Sequence, residues 1–399
     1  MRERLFDGLR VIDCASYIAG PAAATVMSDF GADVIKIEPP GAGDPYRTRA
    51  AQPEGYVHPI SPNWVLDARN KKSLALDLGS QAGNEVLQRL VAQSDVFITN
   101  FPPKVRRTLR ITYEELAPLN ERLIYGSFTG YGESGPEADK PGFDATAWWA
   151  RSGLMHLVRA GEGAAPARSL PGMGDHPSAM AMYAAIVTAL YQRELTGKGG
   201  LVGSSLLANG LWANGCSVQA ALCGEQVAIQ PHRSQSPSAL RSHYRCADER
   251  WLLLSIPNER RWEELRRAMG SELLDDPRFR TPEGRAEHTR DLITVLDGLF
   301  AQRPLEEWRR RLDAQGVLFS IVTEMEDIHS DEQMRASGAL VPFADADLYT
   351  VSSPFWIGGQ EKIPPHHAPQ LGEHSDVVLQ EIGFSEAERA ELRKAGVIG

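Results

Sequence analysis

Asp175 stands in Pro171-Gly172-Met173-Gly174-Asp175-His176-Pro177, a carboxylate between a glycine-rich turn and the start of an alanine-rich helical stretch. At the first turn of a helix the macrodipole favours an ionised carboxylate. Nearby glycines give a substrate room to reach it, so residue type and place fit a nucleophile. The plainer alternative is a helix cap in which Asp175 or His176 satisfies orphan backbone N–H groups. Local spacing does not choose between the two.

A second concentration of chemistry is cationic. Lys104, Arg106, Arg107 and Arg110 fall within residues 101–110 with no acid among them, and the turn Gly41-Ala42-Gly43-Asp44-Pro45-Tyr46 ends on Arg47. A solvated surface face would account for such an island. Its place just after a strand expected to end at Asn100 favours a ligand instead, because open α/β sheets bind at the carboxyl ends of their strands. A multiply phosphorylated ligand would fit. The 42 Lys and Arg residues are outnumbered by 52 Asp and Glu residues, for a net charge of −10. That balance excludes a nucleic-acid binder resting on overall basicity.

Other motifs carry less. Glu38 lies 18 residues after Gly20, where a dinucleotide fold would hold a ribose. The first turn offers only Gly20-Pro21, however, without the G-x-G-x-x-G that admits a pyrophosphate, so no nicotinamide or flavin is expected. His366-His367 has no neighbouring carboxylate pattern to complete a metal site and reads as surface loop. No G-x-S-x-G elbow occurs. Cys14, Cys216, Cys223 and Cys246 form no C-x-x-C pair and read as reduced, mostly buried thiols.

The elements that must position these groups follow from periodicity and punctuation. The length of 399 residues implies about two to three domains. Residues 10–16 read as a strand, Pro21 opens a helix that Gly31 stops, and residues 33–38 form the next strand, a βαβ unit with parallel strands. Strands at 72–78, 95–100 and 123–128 and an amphipathic helix at 81–93 extend it into an α/β sheet covered by helices. Residues 177–195 form a buried helix. After residue 225 come a polar run at 230–242, a strand at 251–256 and helices at 261–269, 287–300 and 305–315, which form a smaller domain. Residues 328–369 are loop-rich, and a last helix spans 385–395 with Ser385 and Glu388 as a capping pair. Arg2 and Arg4 ahead of an apolar stretch imitate a secretory leader, but Asp7, Arg10 and Asp13 interrupt it, and the apolar segment 179–191 is too short to span a bilayer. A cytoplasmic enzyme with no membrane or nucleic-acid partner is expected.

Taken together the residues resemble the family III acyl-CoA transferases, the CaiB/BaiF family that includes formyl-CoA transferase and carnitine CoA-transferase and shares its fold with α-methylacyl-CoA racemase. The resemblance covers nearly the whole chain. It rests on Leu9-Arg10-Val11-Ile12-Asp13 leading to Ala19-Gly20-Pro21, on Gly31-Ala32-Asp33-Val34-Ile35-Lys36-Ile37-Glu38-Pro39-Pro40, and on Gly43-Asp44 with Arg47. It continues through Asn70-Lys71-Lys72-Ser73, Asn100-Phe101, Gly130-Tyr131-Gly132, Thr196-Gly197-Lys198-Gly199, Asp276-Pro277-Arg278-Phe279 and Leu371-Gly372-Glu373-His374.

The resemblance implies a Rossmann-like large domain built from residues 1–224 and 330–399, a smaller α+β domain at 225–329, and an interlocked homodimer. It implies coenzyme A as a substrate moiety with no tightly bound cofactor and no metal. The family's CoA contacts fall on Ala19, Arg47, Lys71, Asn100, Phe101 and Lys140, and its catalytic carboxylate on Asp175. That carboxylate would carry CoA from an acyl-CoA donor to a carboxylic acid acceptor through an aspartyl anhydride and an aspartyl-CoA thioester. Racemases of this fold use a histidine where Phe143 stands, so transfer is favoured over the alternatives of an acyl-CoA racemase or a silent CoA-ester binder. Ile18 and Phe143, with Trp148 and Trp149 nearby, imply a substrate pocket for a larger or less polar acyl group. The family's basic residue near the Asn100 loop falls on Thr108, with Arg107 or Arg110 as substitutes, and its glycine-rich lid falls on the glycine-free run 232–239.

Overall fold

The computed structural model describes residues 4–48, 61–229, 231–257 and 261–399. Arg2, and residue 230 at the head of the polar run, lie outside them. The chain forms two compact units, one of Met1–Met155, Arg168–Gln226 and Glu332–Gly399 and the other of His156–Ala167 and Val227–Asp331. Residues 156–167, read from sequence as part of the larger domain, belong to the smaller unit. There Gly161 lies so close to His232 that a Cβ on it would come 3.2 Å from the His232 backbone nitrogen.

The larger unit is built on a six-stranded sheet: β1 (Arg10–Asp13), β2 (Asp33–Glu38), β3 (Lys72–Ala75), β4 (Val96–Thr99), β5 (Ile124–Thr129) and β6 (Gly200–Ser205), in the order β3-β2-β1-β4-β5-β6. All neighbours are parallel. Side chains alternate between faces, as the strand period requires. Val11, Val34, Val96, Ile98 and Ile124 pack with α1 (Ala19–Asp29) and the long helix Asp175–Thr196, whereas Ile12, Ile35, Leu74, Phe97 and Tyr125 pack with the helices Gln81–Val91 and Ser375–Glu381. The expected α/β architecture is therefore present, with helices on both faces.

Two differences concern the site. Strand β6, with the sequence Gly-Leu-Val-Gly-Ser-Ser, carries too much glycine to read as a strand, and its pairing to β5 from Gly200↔Ile124 to Ser205↔Thr129 supplies what propensity lacks. Helix α1 begins at Ala19, two residues before Pro21, and is buried along its whole length.

The smaller unit pairs three antiparallel strands, His243–Arg245, Trp251–Leu254 and Phe319–Ile321, and packs them with the helices Trp262–Met269, Thr289–Phe300 and Leu305–Ala314 around Tyr244, Leu252, Leu254, Phe300 and Trp308. Among the described residues no helix is long and apolar enough to cross a membrane.

Candidate active site

The chain reverses direction across the sheet between β1 and β4, since β2 lies to one side of β1 and β4 to the other. A crevice at the carboxyl ends of two such strands is where open α/β sheets take ligands. A cleft of about 260 Å³ opens there, lined by Ser16, Tyr17, Ile18 and Ala19 after β1, by Asn100, Phe101, Pro102 and Pro103 after β4, and by Thr129 and Gly130 at the end of β5. Lys140, Pro141, Gly142 and Phe143 form one wall, and Asp175 and Leu206 complete it.

The loop after β1 is held from several sides. Asn100 grips the Ser16 peptide, accepting from its N–H at 2.8 Å and donating to its carbonyl at 2.6 Å. Tyr17 has a φ of 64°, a left-handed conformation that costs a non-glycine residue energy. Asp44 Oδ1 accepts its N–H at 3.3 Å and that of Tyr46 at 2.9 Å. Below the loop the fully buried Lys36 donates to the Ala15 carbonyl and pairs with Asp44 Oδ2 at 2.9 Å and Asp13 Oδ1 at 3.8 Å. Burial disfavours the Lys36 charge, but Asp13, Asp44 and Glu38 together outweigh it and hold the ammonium firmly protonated.

Asp175 is the first residue of a 22-residue helix that ends at Gly197, which adopts φ 75°. Its turn is locked from outside. Asp144, in the π-helical turn Asp144–Ala150, accepts the Gly174 N–H at 3.3 Å. The Trp148 ring lies so close that a Cβ on Gly174 would come within 2.6 Å of it, which only glycine allows. On the same helix His176 Nε2 meets Asp67 Oδ1 at 3.1 Å, and the His176 backbone N–H donates to the Gly172 carbonyl at 3.2 Å. Burial raises the Asp175 carboxyl to about 7, with the charges of Asp144 and Asp67 adding to it and His176 opposing. Desolvation and the neighbouring acid thus work against the ionised form that the helix macrodipole favours. His176 is raised in turn. Burial works against its charge, but the hydrogen bond to Asp67, the Asp67 charge and Asp175 prevail.

The structure gathers Ile18, Ala19, Asn100, Phe101, Lys140, Phe143 and Asp175 around one cleft. Ile18 is buried and Phe143 is 57 % exposed at the rim, edge-on to Tyr17 with ring centroids 5.6 Å apart. Lys140 is exposed, 2.7 Å from Glu137 Oε1. Two other expected ligand contacts lie elsewhere. Lys71 is buried, and its ammonium donates to Asp13 Oδ2 at 2.9 Å, Pro21 O at 2.7 Å and Asp67 O at 2.7 Å. Those three bonds use every proton it has, so it braces the start of α1 and the Asp67 helix. Arg47 lines a separate hollow, held to Glu38 at 2.5 and 2.7 Å and stacked 3.9 Å over Trp64. Glu38, weighed above as a ribose acid, is taken up by Arg47, Ser73 and the Asp44 N–H.

The cationic island does not line the cleft. Arg106 turns inward, bonding Ser127 Oγ at 2.9 Å and Glu133 at 2.8 Å, while Lys104, Arg107 and Arg110 stay exposed, with Arg107 3.6 Å from Asp139. Thr108 is exposed and donates to the Lys104 carbonyl. Trp148 and Trp149 are buried and stacked on each other behind the Asp175 turn rather than in the pocket. Residues 232–239 lie in the smaller unit, where their neighbourhood forms a hollow of about 920 Å³ with Arg159, Arg241 and His243. His367 is bonded to Asp345 at 2.8 Å, and among the described residues no group of three or more His, Cys, Asp or Glu side chains is arranged to hold a metal. Cys14 and Cys246 are buried, but Cys216 and Cys223 are exposed, because the helix Gly215–Leu222 and its cap stand at the surface.

Sequence reasoning missed Asp67, Asp144 and the hold on Tyr17 by Asp44. Asp67 meets His176 across 109 residues, a pairing visible only in three dimensions. Asp144 had a signal, as the neighbour of Phe143, but no motif gave it a partner.

Residues 6–375 match the sequence model for "CoA-transferase family III". The chain is 30 % identical to (R)-2-hydroxy-4-methylpentanoate CoA-transferase of Clostridioides difficile over 99 % of each chain. It is 31 % identical to cinnamoyl-CoA:phenyllactate CoA-transferase of Clostridium sporogenes over 98 % of this chain and 96 % of that one. In three dimensions it resembles a crystal structure of a CaiB/BaiF family protein from Brucella suis, with a TM-score of 0.86, 25 % identity, and coverage of 96 % of this chain and all of that one.

Proposed function

This chain belongs to CoA-transferase family III, and from that premise we propose that Asp175 is the nucleophile of a CoA transfer between an apolar acyl-CoA and a carboxylic acid. The observation that carries this is that Asp175 is the one carboxylate among the described residues lining a mostly apolar cleft at the sheet's switch point. An Asp175 oxygen attacks the thioester carbonyl, the C–S bond breaks, and CoA leaves as thiolate from a mixed aspartyl anhydride. The thiolate attacks the aspartyl carbonyl, releasing the donor as its carboxylate and forming an aspartyl-CoA thioester. The acceptor carboxylate then displaces CoA to give a second anhydride, and the returning thiolate attacks the acceptor's acyl carbonyl. New acyl-CoA and free Asp175 result, with no net proton or energy source required.

Ala19, Asn100, Phe101 and Lys140 face the CoA, while Ile18, Phe128, Phe143 and Leu206 surround the acyl group. Lys140 is the one cation among the described lining residues, so the cleft has no second cation for the distal carboxylate of a dicarboxylic acid. A branched or aromatic acid of the kind named for the two clostridial relatives suits these walls better. Racemisation needs bases on both faces of the α carbon, and Phe143 cannot move a proton.

Incubating the protein with a panel of acyl-CoA thioesters, quenching with hydroxylamine and mapping peptides is expected to place a hydroxamate at Asp175. Branched and aromatic thioesters should label it and succinyl-CoA should not. An unmodified Asp175 with every thioester would overturn the nucleophile, and labelling by succinyl-CoA alone would overturn the acyl class.

The functional form is a dimer of two copies of this chain. Support comes from the large apolar side chains Trp212, Leu222, Leu195, Tyr191 and Leu201, which the larger unit leaves 88, 76, 70, 68 and 51 % exposed and which a second copy would cover. Light scattering coupled to size exclusion is expected to return twice the chain mass of 43.8 kDa, and a monomer at micromolar concentration would refute the assignment.

A further inference from the structure

We propose that the Tyr17 ring, paired with Phe143, determines which acyl groups reach Asp175, and that the pair selects an acyl chain ending in an aromatic ring over a saturated one of equal size. The proposal rests on the reading of Asp175 as nucleophile and narrows the acyl class given for its cleft.

Both residues line the cleft and come from separate segments of the larger unit, Tyr17 from the loop after β1 and Phe143 from the residue ahead of the π-helical turn. Their rings meet edge-to-face, with centroids 5.6 Å apart and planes at 89°. Tyr17 also meets Tyr46 edge-to-face, at 6.4 Å and 63°. Exposure rises along this row, from 5 % at Tyr46 through 39 % at Tyr17 to 57 % at Phe143. The row therefore starts in the core and ends in open ring surface at the cleft.

The backbone fixes each ring. Tyr17 keeps a φ of 64°, which glycine takes without strain and tyrosine does not, so the cleft has a ring where an unstrained turn would have none. One oxygen, Asp44 Oδ1, accepts the N–H groups of Tyr17 and Tyr46 and ties the first two members of the row together. Phe143 donates its N–H to Thr146 Oγ1 at 3.0 Å, and its carbonyl accepts from the Thr146 and Ala147 N–H groups at 3.0 and 2.8 Å. Just before it, Gly142 packs so tightly that a Cβ would come 2.8 Å from Tyr131 Cε2. Just after it, Asp144 accepts the Gly174 N–H, which sets the Phe143 backbone in register with the Asp175 turn. An incoming aromatic ring extends this row. Aromatic pairs in edge-to-face or offset contact gain roughly 2- to 10-fold in affinity beyond what their buried area gives. A saturated chain of the same size buries the same area but has no quadrupole to align.

The test compares the rates at which 3-phenylpropanoyl-CoA and 3-cyclohexylpropanoyl-CoA label Asp175 in hydroxylamine, for the wild type, Tyr17→Phe, Tyr17→Leu and Phe143→Leu. The wild type is expected to favour the phenyl thioester by about 10-fold. Tyr17→Phe keeps the ring and should hold that ratio. Tyr17→Leu and Phe143→Leu each remove one ring, and each should lower the ratio about 3-fold, whatever happens to the absolute rates. Phe143 is largely exposed, so Phe143→Leu is expected to fold and the ratio can be read on it even where Tyr17→Leu does not fold. An unchanged ratio in Phe143→Leu, or in a folded Tyr17→Leu, would show a ring that only braces its loop and overturn the proposal. So would a wild type that accepts both thioesters equally, or a Tyr17→Phe ratio as low as that of Tyr17→Leu. Absence of any Asp175 adduct in the wild type would instead overturn the nucleophile, and the proposal with it, so the two failures are told apart by the labelling.

Discussion

Asp175→Asn is expected to lower transfer activity by roughly 10³-fold or more and, at pH 8, to make the protein more stable. The first effect follows from the nucleophile role proposed for Asp175, the one carboxylate among the described residues lining the cleft. The second follows from the direction of its titration. An ordinary aspartate ionises near 3.9 in the unfolded chain, whereas burial and Asp144 raise Asp175 to about 7 in the fold. Between those values the folded protein holds a proton that the unfolded chain has released, so stability falls as pH rises through the interval. Above about pH 7 the cost is complete. Asparagine does not titrate and escapes it, so the variant should exceed the wild type by about 2 kcal/mol at pH 8, allowing for partial exposure. The gain should shrink steadily as pH falls and be gone near pH 4. Urea unfolding of both proteins at several pH values reads the difference directly, and a variant no more stable than the wild type at pH 8 would contradict the strained carboxylate. Catalytic groups held against their own preference commonly show this exchange of stability for activity.

Lys36→Met carries the largest expected stability loss, about 3–5 kcal/mol, because it removes one partner from a buried charge cluster. Lys36 and Asp44 are each 1 % exposed and Asp13 is 0 %, so water cannot replace the lost ammonium. Asp13 keeps Lys71, at 2.9 Å. Asp44 keeps only backbone donors on its other oxygen, and its Oδ2 loses the cation beside it. The damage should reach the cleft, since Lys36 holds the Ala15 carbonyl and Asp44 the Tyr17 N–H, in the loop that leads into Ile18 and Ala19. A raised KM for acyl-CoA should therefore accompany the lowered unfolding midpoint. The double variant Lys36→Met with Asp44→Asn should recover part of the stability, because it no longer strands a charge. Additive losses in the double variant would show that the two residues do not act as one unit.

These charges illustrate what a sequence does and does not disclose. Strand β2 was read at its true limits, 33–38, because an apolar run bounded by a glycine and a proline pair is a local signal. The Ser385 and Glu388 capping box was legible for the same reason, and the structure forms it. That Lys36 is buried was not legible, since a lysine in an apolar strand is ordinarily a surface residue, and its partners come from two places, Asp13 from the end of β1 and Asp44 from the turn before Pro45. Strand β6 was hidden because its glycines are tolerated only through pairing with β5. In the site, the residues next to glycine and proline punctuation, Asp175, Asn100 and Lys140, were visible through their motifs, whereas Asp67 required the fold. Lys71 was identified as a residue of note by its motif, but the motif does not reveal that its ammonium faces inward with all its bonds made.

The sheet's outer strand β3 is not left open in the finished fold. Leu76 bridges Ile398 in antiparallel fashion, Asp77 donates to the Val397 carbonyl at 2.9 Å, and Gly399 donates to the Ala75 carbonyl at 3.2 Å. The strand and its cover are separated by more than three hundred residues, among them the whole of the second unit. At translation rates of about 5–20 residues per second, residue 398 follows residue 76 by roughly 15–65 s. A sheet that pairs within that interval would have its β3 rim uncovered, and an open strand edge is a template for joining another chain. Order of synthesis, and not only sequence, therefore decides when this sheet becomes safe from its neighbours on the ribosome.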